Sequence, residues 1–147
     1  MIKGIQSSID NNNYENLKLL AEIINDEYKN YYLGLAYYHT FEYKKSLYYL
    51  EKMENHLPSL LIEAKCLYKT REFKKVTEKC AEYLEKEESG HVWELKGLAQ
   101  KRLNLLQEAQ KSLEKALELE PFLLSAFQEL IEMGVEREWP IVLNRYI

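Results

Sequence analysis

The sequence predicts an all-α fold, a superhelix of antiparallel helix pairs, on three observations. Only three prolines and five glycines interrupt its 147 residues, while twelve tyrosines supply aromatic packing. Small residues recur at Gly34, Ala64 and Gly97, 30 and then 33 residues apart. Two helix axes approach to about 8 Å only where no bulky side chain stands between them, so these three positions read as helix crossings. Turn-forming and charged runs, Asp10-Asn11-Asn12-Asn13 and Glu85 to Gly90, fall between the helical stretches. The length suits a single domain over residues 1–147, with a continuous core if its layers stack.

Taken in order, Ile2 to Ile9 and Tyr14 to Ile24 read as a shortened pair of helices, a degenerate first repeat over 1–26. The second unit, 27–56, places Gly34 at the crossing, Tyr37 at an aromatic position, Ser46 and Leu50 on its second helix, with Pro58 at the exit. The third, 57–89, echoes it: Tyr68-Lys69-Thr70 follows Tyr38-His39-Thr40, and Phe73-Lys74-Lys75 follows Tyr43-Lys44-Lys45, without an exit proline. The fourth, 90–121, carries Trp93, Gly97, Ala109, Leu113, Ala116 and Pro121. Pro121 suits the start of a helix, so Phe122 to Met133 is predicted helical with Gly134 as its stop, followed by a half-helix around Trp139 to Ile147. The Trp93–Pro121 spacing resembles the tetratricopeptide (TPR) repeat, a helix pair with the pattern W-x2-L-G-x2-Y, A-x3-F, P about every 34 residues.

A TPR superhelix lines a concave groove with the first helix of each repeat. Counting from the crossing residue, that frame turns Tyr28, Tyr31, Leu35 and Tyr38 toward the groove, then Pro58, Leu61, Lys65 and Tyr68, then His91, Glu94, Leu98 and Lys101. The candidate partner-binding residues are Tyr28, Tyr31, Leu35, Tyr38, Leu61, Tyr68 and Leu98, a lining that begins aromatic and becomes charged. It suits an amphipathic helix, because each large apolar side chain buried contributes on the order of 1.5–3 kcal/mol. Ile2, Ile5 and Ile9 share one face of the first helix, which makes that helix a candidate dimerisation element entering the groove of a second copy. The alternative is that these isoleucines pack on Leu17, Leu20 and Ile24 of their own hairpin.

The chemistry of a catalyst is missing from the sequence. There is no glycine-rich phosphate loop, H-E-x-x-H, C-x-x-C or G-x-S-x-G, and His39, His56 and His91 are too scattered for a metal site. No catalytic residue, metal or cofactor is predicted. A net charge of −4, with no basic cluster, speaks against nucleic acid and anionic membranes. The longest nearly apolar stretch, Phe122 to Phe127, is far short of the roughly 20 residues a spanning helix needs. With no apolar signal core near Met1, and with Cys66 and Cys80 as packing thiols on the two helices of one repeat, an intracellular protein is expected. A clamp for a terminal carboxylate, as in chaperone-tail TPR domains, is excluded: it needs Lys and Asn where Tyr31 and Leu35 stand, Asn at Ile62, and Lys and Arg at His91 and Leu95.

The run Pro121-Phe122-Leu123, Ser125, Phe127, Leu130 and Gly134 resembles P-F-L-x-S-x-F-x-x-L-x-x-x-G of the amino-terminal TPR domains of the cell division cycle protein 27 family. Ala36-Tyr37-Tyr38 with Tyr43, and Ala64-Lys65-Cys66, are similar to earlier repeats of those domains. Leu124 departs from a frequent tryptophan, and the loop Lys86 to Gly90 is shorter than in the family. The sister scaffold subunits, cell division cycle proteins 16 and 23, carry similar repeats. The resemblance implies a non-catalytic scaffold of the anaphase-promoting complex, an E3 ubiquitin ligase of the cell cycle. It also implies homodimerisation by mutual clasping, contact with other subunits of the complex, and a place in nucleus and cytoplasm. No segment corresponds to the later repeats that bind activator tails.

Overall fold

The computed structural model describes residues 2–135, apart from the side chain of Ile2. Helix is the only regular structure among the described residues. The elements are α1 (Ile2–Asp10), α2 (Tyr14–Ile23), α3 (Lys29–His39), α4 (Tyr43–Leu50), α5 (Leu57–Lys69), α6 (Phe73–Leu84), α7 (Gly90–Arg102), α8 (Leu106–Leu119) and α9 (Leu124–Glu132). The chain divides into two compact units, Met1–Glu72 and Phe73–Ile147, and the division falls between α5 and α6, inside the repeat expected over 57–89.

In the first unit α3 and α4 form a tight hairpin. A Cβ on Gly34 would lie 2.4 Å from Leu50 Cδ2, so only glycine lets the helices close to this distance. The buried Ser46 hydroxyl crosses the same gap and donates to the Gly34 carbonyl at 2.6 Å, and the Cys66 thiol of α5 donates to Ser46 Oγ at 3.3 Å. Ile5, Leu17, Ile24, Leu35, Ala36, Leu50, Ile62 and Cys66 make the core from all five helices of the unit. In the second unit the α7–α8 hairpin repeats the device. A Cβ on Gly97 would meet Leu113 Cγ at 2.9 Å and the Ala109 carbonyl at 3.3 Å. Leu113, Ala116 and Leu117 of α8 pack on Ala126, Phe127 and Leu130 of α9, with Trp93 against them.

Five helices end in the same way. Asn12, Phe41, Arg71, Asn104 and Gly134 follow α1, α3, α5, α7 and α9 with φ between 53° and 82°. The next residue then donates its N–H to the carbonyl five back: Asn13 to Ser8, Glu42 to Tyr37, Glu72 to Leu67, Leu105 to Gln100 and Val135 to Leu130, at 2.7–3.0 Å. This Schellman closure satisfies the orphaned last carbonyls of each helix. It recurs at intervals of 29, 30, 33 and 30 residues (12 to 41, 41 to 71, 71 to 104, 104 to 134), which sets α9 in the role of a first helix.

One expected boundary is corrected. α9 begins at Leu124, because Pro121 and Phe122 form a turn after α8. A proline disfavours the helical conformation of the residue before it, and Glu120 is accordingly non-helical at φ −132°, ψ 82°. The half-helix expected around Trp139 to Ile147 lies outside the described residues.

Candidate binding surface

α3 and α5 pack side by side in the first unit. On α3, Tyr31, Leu35 and Tyr38 share a face by their spacing of four and three, and on α5 Leu61, Lys65 and Tyr68 repeat it. Tyr31, Tyr38, Leu61, Lys65 and Tyr68 are half-buried and Tyr28 is exposed, so both helices present ring and methyl surface. Leu35 does not: it is 8% exposed and belongs to the core with Ile5 and Ile62, which corrects its expected place on the surface. Side chains from α1, α4 and α5 share the cluster that encloses Leu35.

The tyrosines are held by one another and by two histidines. The His56 ring lies 5.2 Å from Tyr28 and 4.8 Å, edge-on, from Tyr31, whose ring is 5.8 Å from Tyr32. His39 stacks on Tyr14 at 4.1 Å and meets Tyr38 edge-on at 5.1 Å, and Tyr38 in turn lies 5.9 Å from Tyr43. Burial pushes the phenols of Tyr31 and Tyr38 above their ordinary range, so both stay neutral donors. Burial likewise lowers the pKa of His56, and burial with the Lys65 charge lowers that of His39. The result is a shelf of neutral rings with the Lys65 cation among them. A shelf of half-buried rings with polar tips takes up an apolar helix face without needing a matched charge.

His56 is absent from the groove frame and has a structural duty of its own. Its Nδ1 accepts from the Ser59 N–H at 3.3 Å and pairs with Ser59 Oγ at 2.7 Å, capping α5. The signal was Pro58, since proline favours the first helical turn and makes the residue just ahead of that turn a cap.

In the second unit the groove frame meets a different use of charge. Leu98 is half-buried and His91 exposed, but Lys101 donates to Glu129 of α9 at 2.5 Å and Glu94 accepts from the Ser125 hydroxyl. The two charges expected to face a partner fasten α7 to α9.

The isoleucine face of α1 is also occupied within the chain. Ile5 is 4% exposed in the core with Leu17 and Ile24, and Ile9 and Leu20 pack on that core. The Asn16 side chain donates to Ser8 Oγ at 2.8 Å, tying α1 to α2. Ile2 opens the helix. Of the expected dimerisation residues, Ile5 and Ile9 thus lie against their own hairpin.

Both thiols are buried, Cys66 in the first unit and Cys80 in the second. Burial pushes Cys66 up to about 11, against the Ser46 hydrogen bond, and Cys80 up to about 12, against the Lys96 charge. Both are protonated near neutral pH and are poor nucleophiles. Among the described residues no cluster of three histidine, cysteine or carboxylate side chains could hold a metal ion, and no helix is long and apolar enough to cross a membrane. No family model and no curated protein matches this sequence.

Proposed function

We propose that the chain is a non-catalytic TPR scaffold that holds an apolar helix of a partner protein against the tyrosine-lined face of α3 and α5. The carrying observation is that Tyr31, Tyr38, Leu61 and Tyr68 keep part of their surface open on two adjacent helices, while histidine and tyrosine neighbours fix the rings of Tyr31 and Tyr38. Rigid aromatic side chains lose little entropy on binding, which is why they dominate protein interfaces. The TPR reading is supported by the closures recurring every 29–33 residues and by the glycines at both helix crossings.

The proposed setting is the anaphase-promoting complex, in nucleus and cytoplasm, and it rests on the likeness of Pro121 to Gly134 to cell division cycle protein 27. Phe127 and Leu130 of that run are core residues and Gly134 closes α9, so these three also serve the repeat itself. A photo-crosslinking residue placed at Tyr38 is expected to trap subunits of that complex in dividing cells, whereas the same residue at Tyr48 on α4 does not. Equal products at both positions contradict the reading.

Homodimerisation is the second reading, carried by the clasped domains of the resembling family. Insertion of α1 into a second copy requires Ile5 to leave its own core, a cost on the order of 1.5–3 kcal/mol that is returned only where the second copy buries Ile5 as fully. Light scattering at micromolar concentration is therefore expected to give a monomer. A dimer that Tyr38→Glu converts to folded monomer establishes the second reading instead.

A further inference from the structure

The turn between α3 and α4 carries a feature that the α3–α5 face does not use. Phe41 is 78% exposed and stands in the left-handed region at φ 65°. A bulky side chain there is strained, and exposure leaves the strain without compensating burial. The matching closures use Asn12, Asn104 and Gly134, residues that tolerate this conformation; the other exception is Arg71, at φ 64°. Phe41 lines a shallow, open cleft to which the turn after α5 contributes Thr70. The cleft, about 350 Å³, is lined by Phe41, Glu42, Tyr43, Lys44, Lys45 and Thr70, the residue before Arg71.

Its charge is one-sided. Glu42 is already bound by Lys18 at 2.9 Å, by the Thr40 hydroxyl at 3.1 Å and by Lys45 at 3.3 Å. Lys44, Lys69 and Arg71 are exposed and form no ion pair among the described residues, and the one other carboxylate in these two turns is Glu72. An exposed phenyl ring in a cleft shared with Lys44 and Lys45, with Arg71 following its Thr70, complements a segment that alternates carboxylates with an apolar side chain.

We propose that the lip formed by Phe41, Lys44, Lys45, Thr70 and Arg71 is a second docking surface, which takes an acidic protein segment bearing an apolar side chain. The phenyl ring and the segment's apolar side chain share the cleft, and Lys44 and Arg71 pair with the flanking carboxylates. Phe41 and Arg71 are both exposed, where a partner meets them.

The test is fluorescence anisotropy of the full chain titrated with a labelled peptide repeating two aspartates and a phenylalanine. Saturable binding is expected, weakened by added salt and absent when lysines replace the aspartates. Phe41→Asn should lower affinity about tenfold while leaving the melting temperature equal or higher, because asparagine already fills this conformation at 12 and 104. Arg71→Glu should weaken binding similarly, and Tyr28→Glu, on the α3–α5 face, should not change it. Failure of the acidic peptide to bind, equal binding of the lysine peptide, undiminished affinity of Phe41→Asn, or equal loss with Tyr28→Glu each overturns the proposal.

Discussion

Two kinds of single residue set the geometry of this chain, and they respond to substitution with opposite signs. At Gly34 the added Cβ of Gly34→Ala would fall 2.4 Å from Cδ2 and 2.5 Å from Cγ of Leu50, a fully buried side chain with nowhere to go. Overpacking of this sort costs about 1–3 kcal/mol, expected as a lower urea midpoint with an unchanged slope. An unaltered midpoint would show that the α3–α4 crossing is looser than described. Phe41→Gly should move the other way and stabilise by roughly 1 kcal/mol, since glycine relieves the left-handed strain and no packing is lost at an exposed site. Thermal melting of that variant decides the sign. Both glycine crossings were legible in the sequence because smallness at a 30–33-residue interval has a mechanical cause. The strain at Phe41 was not, because phenylalanine is no turn former and nothing local announces a left-handed residue.

Helix by helix, the elements followed the sequence closely where caps and punctuation are chemical. The asparagine run ends α1 and supplies Asn13 as the α2 cap, Ser89 caps α7, and Gly134 closes α9. What the sequence concealed was partnership between elements. Glu94 and Lys101 look solvent-facing along α7, yet their partners stand 31 and 28 residues further on, in α9. Leu35 likewise fits the groove pattern until the packing of its neighbours closes over it. Of the candidate surface, the tyrosine positions were readable from helical spacing, while their exposure and the histidines that brace them were set by tertiary packing.

The His56 cap gives α5 a pH dependence whose sign follows from its lowered pKa. The unfolded chain takes up a proton near pH 6.5, whereas the half-buried ring in the folded chain resists protonation until lower pH. Between those two points the unfolded state binds more protons, so stability falls as pH drops below about 6.5 and levels off beneath the folded value. His39 adds in the same direction. Glu42, pushed down to about 2 by hydrogen bonds from Lys18, then Thr40 and Lys45, loses its contribution only as pH falls from about 4.5 toward 2, a separate window. The melting temperature should therefore fall between about pH 7.5 and about pH 5.5, and fall less in His56→Asn, which keeps a capping acceptor without the titration. Identical pH profiles for the two proteins would contradict the cap.

At the scale of the molecule, each unit is held by small residues at helix crossings and closes its odd-numbered helices identically, while Tyr31, Tyr38 and Tyr68 keep part of their surface open. The proposed binding role rests on that braced face of neutral rings. Its most direct test is an NMR titration of the chain, with its tyrosine rings carbon-13 labelled, using an amphipathic helical peptide with leucines at every third and fourth position. Shifts confined to Tyr28, Tyr31, Tyr38 and Tyr68 are expected, with Tyr48 and Tyr83 unmoved. Saturation of the peptide with those four rings unperturbed, or with the changes centred on Tyr48 and Tyr83, would contradict it.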